Sequence, residues 1–398
     1  MSKRTLAQLD GARLDGQRVV VRLDLNVPMA DGAISDDTRL RAALPTVRYL
    51  RDHGARVVLL SHFGRPKGGP DPKYSLKPVA RELESRLGSP VTFLEDPTSE
   101  AAVTAVRRLP RGGIAVAENT RFFPGEESND PALAARFAAL GDLFVNDAFG
   151  TAHRAHASTE GVAHLLKPAV SGFLMEKELA FLGDAVNRPK RPFVAILGGA
   201  KISGKIDLVE ALLPKVDRIL IGGAMACTFF KAMGLEVGTS LVEDDRIALA
   251  KQLLEQAGEK LVLPVGARIA ERLDGSAPFR DVARDQIPPG WAMFDIDPDS
   301  VAAFAAIIAP AATVIWNGPM GVFETPPFDA GTLGIAHALA KATDAGATTI
   351  VGGGDSAAAV TAAGLDERVS HVSTGGGASL EFLEGKPLPG VAALDEAT

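Results

Sequence analysis

Short apolar runs alternate with amphipathic stretches along almost the whole chain. Nearly uninterrupted Val, Ile and Leu mark RVVVRLDL (18–25), ARVVLLSH (55–62), GIAVAEN (113–119) and LFVNDAF (143–149) as strands. After a break come PFVAILGG (192–199), RILIGG (218–223), KLVLPV (260–265), ATVIWNG (312–318) and TTIVGGG (348–354). Between them PALAARFAALGD, GKIDLVEALLPKV and DDRIALAKQLLEQAG carry apolar residues three and four apart, the spacing of one helix face. Strands with no polar alternation are buried on both sides, so this order predicts parallel sheets with helices on each face. The expected fold class is α/β, with two doubly wound, Rossmann-like parallel-sheet domains. The segment KPAVSGFLMEKELAFLGDAVNRPKRP holds a helical stretch bounded by Pro168 and Pro189 and reads as an interdomain helix with hinges. The boundaries that follow are 1–172 for the first domain, 173–189 for the helix, and 190 onward for the second.

Length and composition agree with this division. A chain of 398 residues exceeds one ordinary core. Its 46% hydrophobic and 23% charged residues are those of a packed globular protein. No apolar run reaches the ~18 residues of a membrane span. The longest, Val301 to Trp316, is broken by Pro310 and predicts a helix followed by a strand. The N-terminal stretch MSKRTLAQLDGARLDG has no apolar core and no small-residue cleavage site, so a cytoplasmic location is expected. Cys227 is the only cysteine. Its neighbours Ala226, Phe229 and Phe230 predict a buried structural thiol. The net charge of −7 argues against a nucleic-acid partner. The charge is uneven: residues 1–170 hold 23 Lys/Arg against 20 Asp/Glu, and the remainder 19 against 29. Such a contrast suits a first half that receives an anion, and ordinary surface variation would also produce it.

Open parallel sheets bind ligands beyond the carboxyl ends of their strands. The unusual residues of this chain gather at those ends: LDLNVP, SHFGRP, AENTRF, NDAFGTAHRAH, LGGAKISGK, IWNGPMGVFE, GGGDS and STGGG. In the first half, Asp24 and Asn26, then His62 and Arg65, then Arg121, then His153, Arg154 and His156 follow successive strands. Arg39 follows at the start of the helix in DDTRLRAALP. A guanidinium fork donates two parallel hydrogen bonds to phosphate or carboxylate, so arginines repeated at strand ends predict an anion-binding cup. The H-R-A-H spacing lacks the partners of a zinc site, which leaves a salt-bridged or anion-facing role for the histidines.

In the second half, residues 199–205 fit the opening of a phosphate-binding loop, G-x-x-x-x-G-K, but Ile206 stands where Ser or Thr would hold magnesium. What remains is a glycine loop opening a helix, with Lys201 and Lys205 expected on one face. A plain strand–helix turn with solvent-facing lysines would read the same way. GGGDSAAAV (352–360) adds glycines that admit a phosphate, and Asp355 as a hard carboxylate beside them or as a plain N-cap. STGGGASLEFLEG (373–385) repeats the glycine-to-helix pattern, and Glu324 in WNGPMGVFE offers a carboxylate to ribose hydroxyls.

Taken together and in this order, RLDLNVP, SHFGRPKG, NDAFGTAHRAHAS, LGGAKISGKI, WNGPMGVFE, GGGDS and HVSTGGGASLEFLEG resemble the phosphoglycerate kinase family over the whole chain. The resemblance implies a hinge-closing bilobal kinase. Its first domain would bind 3-phosphoglycerate or 1,3-bisphosphoglycerate. Its second would bind ADP or ATP with Mg2+ as the cofactor, and a tail, 381–398, would return to the first domain, the second domain ending at 380. Carried onto this sequence, the substrate set is Asp24, Leu25, Asn26, Arg39, His62, Phe63, Gly64, Arg65, Arg121 and Arg154. The nucleotide set is Lys201, Lys205, Glu324, Gly353, Gly354, Asp355 and Ser356, with Asp355 on the metal. Arg39, Lys201, Gly375 and Gly376 would face the transferring group, together with Gly377. Ser356 replaces a usual Thr, Ala224 a usual Gly, Asp297 a common Gly and Gly266 a common Asp, which bears on the nucleotide pocket. No side-chain nucleophile and no general base are expected, because a carboxylate attacks. A monomer is expected, with no membrane partner.

Two other readings use the same residues. An NAD-dependent dehydrogenase would need an early G-x-G-x-x-G with an acidic residue ~20 positions on, and neither is present. A non-catalytic nucleotide-binding protein on the same fold would have lost residues that this chain retains.

Overall fold

The computed structural model describes residues 3–30 and 32–397. The chain divides into two compact units: unit 1 is Met1–Ala180 with Pro387–Thr398, and unit 2 is Phe181–Lys386.

Unit 1 is built on six parallel strands: β1 (Arg18–Arg22), β2 (Arg56–Leu60), β3 (Val91–Leu94), β4 (Ile114–Ala117), β5 (Leu143–Asn146) and β6 (Ala169–Ser171). Their order across the sheet is β3-β4-β2-β1-β5-β6, so the chain reverses its winding between β1 and β5. Successive side chains of a strand point to opposite faces. Val19 and Val21 therefore join Val57 and Leu59 in one core, whereas Val20 joins Val58 and Leu60 in the other. The first core is closed by α1 (Thr38–Asp52) and α2 (Lys77–Leu87) through Leu40, Leu44, Val47, Val79 and Leu83. The second is closed by α3 (Glu100–Arg108) and α4 (Pro131–Ala138), and by Ala393 and Leu394 from the end of the chain. Each such Val or Leu contributes about 1.5–3 kcal/mol relative to exposure, which is why strands without polar positions need cover on both faces.

The connecting helix α5 spans Phe173–Asn187, and the boundary between the units falls within it. Unit 2 has its own six-stranded parallel sheet from β7 (Phe193–Leu197), β8 (Arg218–Ile221), β9 (Leu261–Val262), β13 (Thr313–Asn317), β14 (Thr348–Gly352) and β15 (His371–Val372). The order β9-β8-β7-β13-β14-β15 is that of a dinucleotide-fold sheet, with its reversal between β7 and β13. Between β9 and β13 the chain forms an antiparallel sheet, β11-β10-β12, from β10 (Gly266–Ala270), β11 (Phe279–Ala283) and β12 (Ala292–Ile296). The sequence pattern does not announce it, because FRDVA in β11 is largely exposed and polar. Cross-strand contacts hold it instead: Arg268 donates to both oxygens of Asp281 at 2.8 and 2.9 Å and lies 4.8 Å from the Phe279 ring. Cys227 is buried as expected, 3.6 Å from the Met293 sulfur, and burial pushes its thiol up to about 11. No helix among the described residues is long and apolar enough to cross a membrane.

Candidate active site

In unit 1 the chain leaves β1 as LDLNVP and turns at once. Asp24 Oδ1 accepts the Asn26 N–H at 3.3 Å and also accepts from Arg39 Nη1 at 3.3 Å. The same guanidinium nitrogen donates to the Asn26 carbonyl at 2.9 Å. Arg39 is the second residue of α1, so the helix fixes its base while Asp24 and Asn26 fix its head. A notch of about 370 Å³ opens here, lined by Asn26, Val27, Pro28, Asp36 and Arg39.

The β2 and β4 ends are laced to this turn. Gly64 N–H donates to Asn26 Oδ1 at 2.8 Å, and Arg121 Nη1 donates to the Gly64 carbonyl at 2.6 Å. Gly64 has φ +59° and lies so close to Tyr74 that a Cβ would overlap its ring, so no other residue fits there. Arg121 Nε lies 3.1 Å from Glu127 without lining up for a hydrogen bond. Leu25 and Phe63 are buried and offer the site only backbone; their N–H groups donate to Ser61 Oγ and Asn119 Oδ1. Arg154, in the loop after β5, donates from Nε to His153 Nε2 at 3.1 Å. Arg65 is exposed and makes no hydrogen bond or ion pair among the described residues.

His62 shows the field these groups create. It is 6% exposed, and burial, followed by Arg22, Arg121, Arg39 and Arg154, holds its pKa well below 6.5. Guanidiniums do not give up their protons, so it is the imidazole that stays neutral among them. The salt-bridged role expected for the histidines does not hold at His156. It lies 4.0 Å from Glu126, but burial and then Arg22 lower its pKa to about 4, so it carries no charge at neutral pH.

Sequence reasoning missed the residues that hold the cup together. Asn119 Oδ1 accepts from Phe63 and Arg121 N–H groups, and its Nδ2 donates to the Phe63 and Tyr74 carbonyls at 2.7 and 2.9 Å. Arg22 is fully buried, donates to Ser158 Oγ at 2.9 Å and to the Leu23 carbonyl, and lies 3.3 Å from His62 Nδ1. A charge ending the apolar run RVVVR, and an Asn closing AEN, were the available signals.

Unit 2 gathers its predicted residues at the carboxyl ends of β7, β13, β14 and β15. The loop after β7 differs from expectation. Residues 201–205 are a turn, and α6 begins only at Ile206 and runs to Leu212, so Lys201 and Lys205 share no helix face. Lys201 is exposed. Lys205 folds back, half-buried, to donate to Asn317 Oδ1. Burial lowers its pKa to about 8, against the opposing pull of Asp355 and Glu384. Asn317, also missed, is 2% exposed, and its Nδ2 is buried without a hydrogen bond.

Glycine makes the crossing of these loops possible. A Cβ on Gly318, at φ +97°, would overlap the Gly198 carbonyl, and one on Gly198 would overlap that of Pro319. Gly353, at φ +88°, precedes α11 (Gly354–Ala362). The first intrahelical bond there runs from Ala357 N–H to the Gly353 carbonyl, leaving the N–H groups of Gly354, Asp355 and Ser356 to a ligand or water. Asp355 is exposed in this first turn. Ser356 points the other way: its buried hydroxyl accepts the Gly318 N–H at 2.7 Å, so it shapes the β13 loop and offers outward only backbone. Glu324 is exposed in the loop after β13. Gly375 and Gly376, the latter at φ +52°, lead into α12 (Gly377–Leu383), and Gly375 N–H donates to Ser373 Oγ at 3.1 Å.

These residues fit a magnesium ion brought by a nucleotide. Among the described residues no group of His, Cys, Asp or Glu could hold a metal alone. The exposed Asp355 carboxylate beside unengaged N–H groups would supply one ligand, leaving phosphates and water to supply the rest, which is how magnesium is commonly bound. A dinucleotide site is not formed: the strand after α11 ends at Val372 and is followed by Ser373, with no acid for a ribose.

The family model for phosphoglycerate kinase matches residues 9–386. The chain belongs to the phosphoglycerate kinase family. It is 58% identical over its full length to the phosphoglycerate kinase of Chloroflexus aurantiacus, all of which is covered. The chloroplastic phosphoglycerate kinase of Chlamydomonas reinhardtii is 56% identical over 99% of this chain and 87% of that one. Among solved structures, phosphoglycerate kinase from Coxiella burnetii superposes with a TM-score of 0.89 at 42% identity, covering 98% of both chains. That from Pyrococcus horikoshii gives 0.82 at 31%, again over 98% of both.

The positions expected to depart from the family pattern have clear local surroundings. Ala224 has φ −62°, which any residue adopts. Gly266 and Asp297 are neighbours: a Cβ on Gly266 would overlap the Asp297 carboxylate, which accepts the Ser300 N–H at 2.9 Å and caps α9 (Pro298–Ile308). A side chain at 266 would compete with the Asp297 carboxylate for one space, so the two positions are coupled.

Proposed function

We propose that this chain transfers the 1-phosphoryl group of 1,3-bisphosphoglycerate to Mg-ADP, reversibly, giving 3-phosphoglycerate and ATP in glycolysis and gluconeogenesis. It is a phosphotransferase with a carboxyl group as acceptor. The observation that carries the substrate side is the convergence of Arg22, Arg39, Arg121 and Arg154 on His62, a field suited to a small polyanion. Unit 1 is the 3-phosphoglycerate-binding domain. Arg65, Arg121 and Arg154 grip the non-reacting phosphate, while Asp24 and Asn26 set Arg39 and accept from the substrate hydroxyl. Unit 2 binds the nucleotide. Lys205, the N–H groups of Gly353, Gly354, Asp355 and Ser356, and Glu324 hold phosphates and ribose.

The obstacle is electrostatic, since two polyanions must meet in line, so positioning and charge neutralisation supply most of the catalysis. Arg39 and Lys201 hold the transferring phosphoryl oxygens; the N–H groups at Gly376 and Gly377 take up the developing charge, and that of Gly375 joins them on release from Ser373 Oγ. In the direction of ATP use, the carboxylate of 3-phosphoglycerate attacks the terminal phosphorus and ADP leaves. A carboxylate is ionised at neutral pH, so no proton moves. Asp355 and the nucleotide phosphates would hold Mg2+, which when bound neutralises phosphate charge. Ligands held on separate units must be brought together, and hinge closure about α5 excludes water while doing so. The protein works as a cytoplasmic monomer.

A coupled assay for ATP formed from 1,3-bisphosphoglycerate and ADP, with and without magnesium, tests this. Magnesium-dependent ATP formation is expected; binding of ADP with no ATP formed would leave a nucleotide-binding protein only.

A further inference from the structure

Asn146 and Asp147 stand side by side at the carboxyl end of β5, both 0% exposed. Phosphoryl transfer as described above gives them no task, although the loop they open carries Arg154. Their partners suggest one. The backbone passes between the units twice, at Ala180–Phe181 within α5 and at Lys386–Pro387.

Asp147 holds the root of the first link. Its Oδ1 accepts the Met175 N–H at 3.0 Å, in the opening turn of α5. Gly172 packs so closely that a Cβ there would overlap the Asp147 carboxyl. The Phe173 N–H donates to Thr46 Oγ1 at 3.0 Å, and Phe173 meets Tyr49 edge to face at 5.1 Å. Thr46 lies beside the same carboxylate and favours its charged form, while Asp147 Oδ2 is buried with no hydrogen-bond partner among the described residues.

Asn146 holds the root of the second link. Its Nδ2 donates to the Gly390 carbonyl at 2.9 Å, across 244 positions of sequence. Gly390 N–H donates in turn to the Ala152 carbonyl at 2.8 Å. A Cβ on Gly390 would stand 3.0 Å from Ala152 Cα and 3.2 Å from Asn146 Nδ2, so this approach is close on both sides.

Both roots rest on elements that carry anion-binding arginines. Thr46 and Tyr49 lie on α1, whose first turn presents Arg39. Ala152 stands two positions before Arg154 in the same loop. A shift of α1 or of that loop on taking up the substrate therefore reaches both links through short hydrogen bonds and ring packing. Burial pushes Asp147 up to about 6, which marks an expensive site for a carboxylate. An exposed Ser or Asp would cap a merely structural helix more cheaply.

We propose that Asn146 and Asp147 together form a positioning node that couples occupancy of the arginine cup to movement of the two links, and so governs closure without touching substrate. The proposal rests on the phosphoryl-transfer reading and on hinge closure. Its test uses the full-length chain with Asn146→Ala, Asp147→Ala, the shape-conserving Asp147→Asn, and Thr46→Val as a milder change at the same root. Calorimetric melting checks folding, titration gives the 3-phosphoglycerate Kd, the coupled assay gives kcat, and X-ray scattering follows compaction when both ligands are added. Expected are Kd values within threefold of the parent, kcat at least tenfold lower in Asn146→Ala and Asp147→Ala, loss of ligand-induced compaction in both, and recovery in Asp147→Asn. If Asp147→Ala does not fold, Asn146→Ala and Thr46→Val carry the same expectation. Folded variants with unchanged kcat and compaction overturn the proposal, as does a loss of kcat matched by an equal loss of 3-phosphoglycerate binding. A parent enzyme that makes no ATP would instead defeat the underlying reading.

Discussion

In unit 1 the groups proposed to face an anion are side chains placed by other side chains: Asp24 holds Arg39, and Asn119 ties the Arg121 N–H to the Phe63 carbonyl. In unit 2 the corresponding surface is mostly backbone. Glycines at 198, 318 and 353 allow loops to cross closely, helix N–H groups face outward, and Lys201 and Asp355 stand exposed. The two constructions suit different ligands. A small metabolite with few atoms is fixed by guanidinium forks of set geometry. A nucleotide's polyphosphate chain offers many oxygens, so rows of N–H donors at helix starts and a mobile ammonium suffice. The difference teaches where each site is fragile: unit 1 at single side chains and unit 2 at glycines.

The sharpest break of this comparison is at the two cations assigned to the transferring group. Arg39→Ala and Lys201→Ala should each lower kcat at least 100-fold, ~2.7 kcal/mol, with unchanged melting. Lysine should rescue position 39 poorly, because an ammonium cannot copy the fork bonded to Asp24 and Asn26, whereas arginine at 201 should restore tenfold or more. Near-normal turnover in either alanine variant would remove that residue from the chemistry. Next in size is the glycine side. Gly266→Asp should destabilise the protein by about 2 kcal/mol in urea titration, since it sets two carboxylates into one space. Adding Asp297→Gly should recover most of that loss, and a double variant no better than the single would show that the two positions are independent.

A smaller effect is expected at Arg65, which is exposed and unheld. Arg65→Ala should raise the KM for 3-phosphoglycerate about tenfold, ~1.4 kcal/mol, and leave kcat within twofold. An unaltered KM would take Arg65 out of the cup. The smallest effect concerns Lys205. Burial lowers its pKa to about 8, so the free protein loses this charge as pH rises through 8. Bound phosphate favours the charged form and raises the pKa again. Binding of ADP should therefore take up a proton above pH 8 and weaken as pH rises, by less than tenfold between pH 8 and 9. Calorimetry in buffers of different ionisation heat measures the uptake, and Lys205→Arg should abolish it.

The sequence by itself determined nine of the twelve strands of the two parallel sheets, several of the covering helices and the placement of the chemistry at strand carboxyl ends; the short strands β3, β6 and β15 carry too few apolar residues to stand out. Those features follow from local periodicity and from the demand that an apolar strand be buried on both faces, which each segment carries within itself. It also supplied Asp24, Arg39, Arg121, Lys201 and Asp355 as candidates, because charges and glycines interrupt apolar runs. Only the tertiary structure decided what meets what. The sheet order, the polar antiparallel excursion of β10 to β12, the contact of Gly266 with Asp297, and the inward turn of the Ser356 hydroxyl all depend on partners distant in sequence. The same holds for the neutral state of His62, which only burial among four guanidiniums produces, and for the reach of Asn146 to Gly390. Desolvation and long-range pairing are properties of the folded surroundings, and no residue carries them alone.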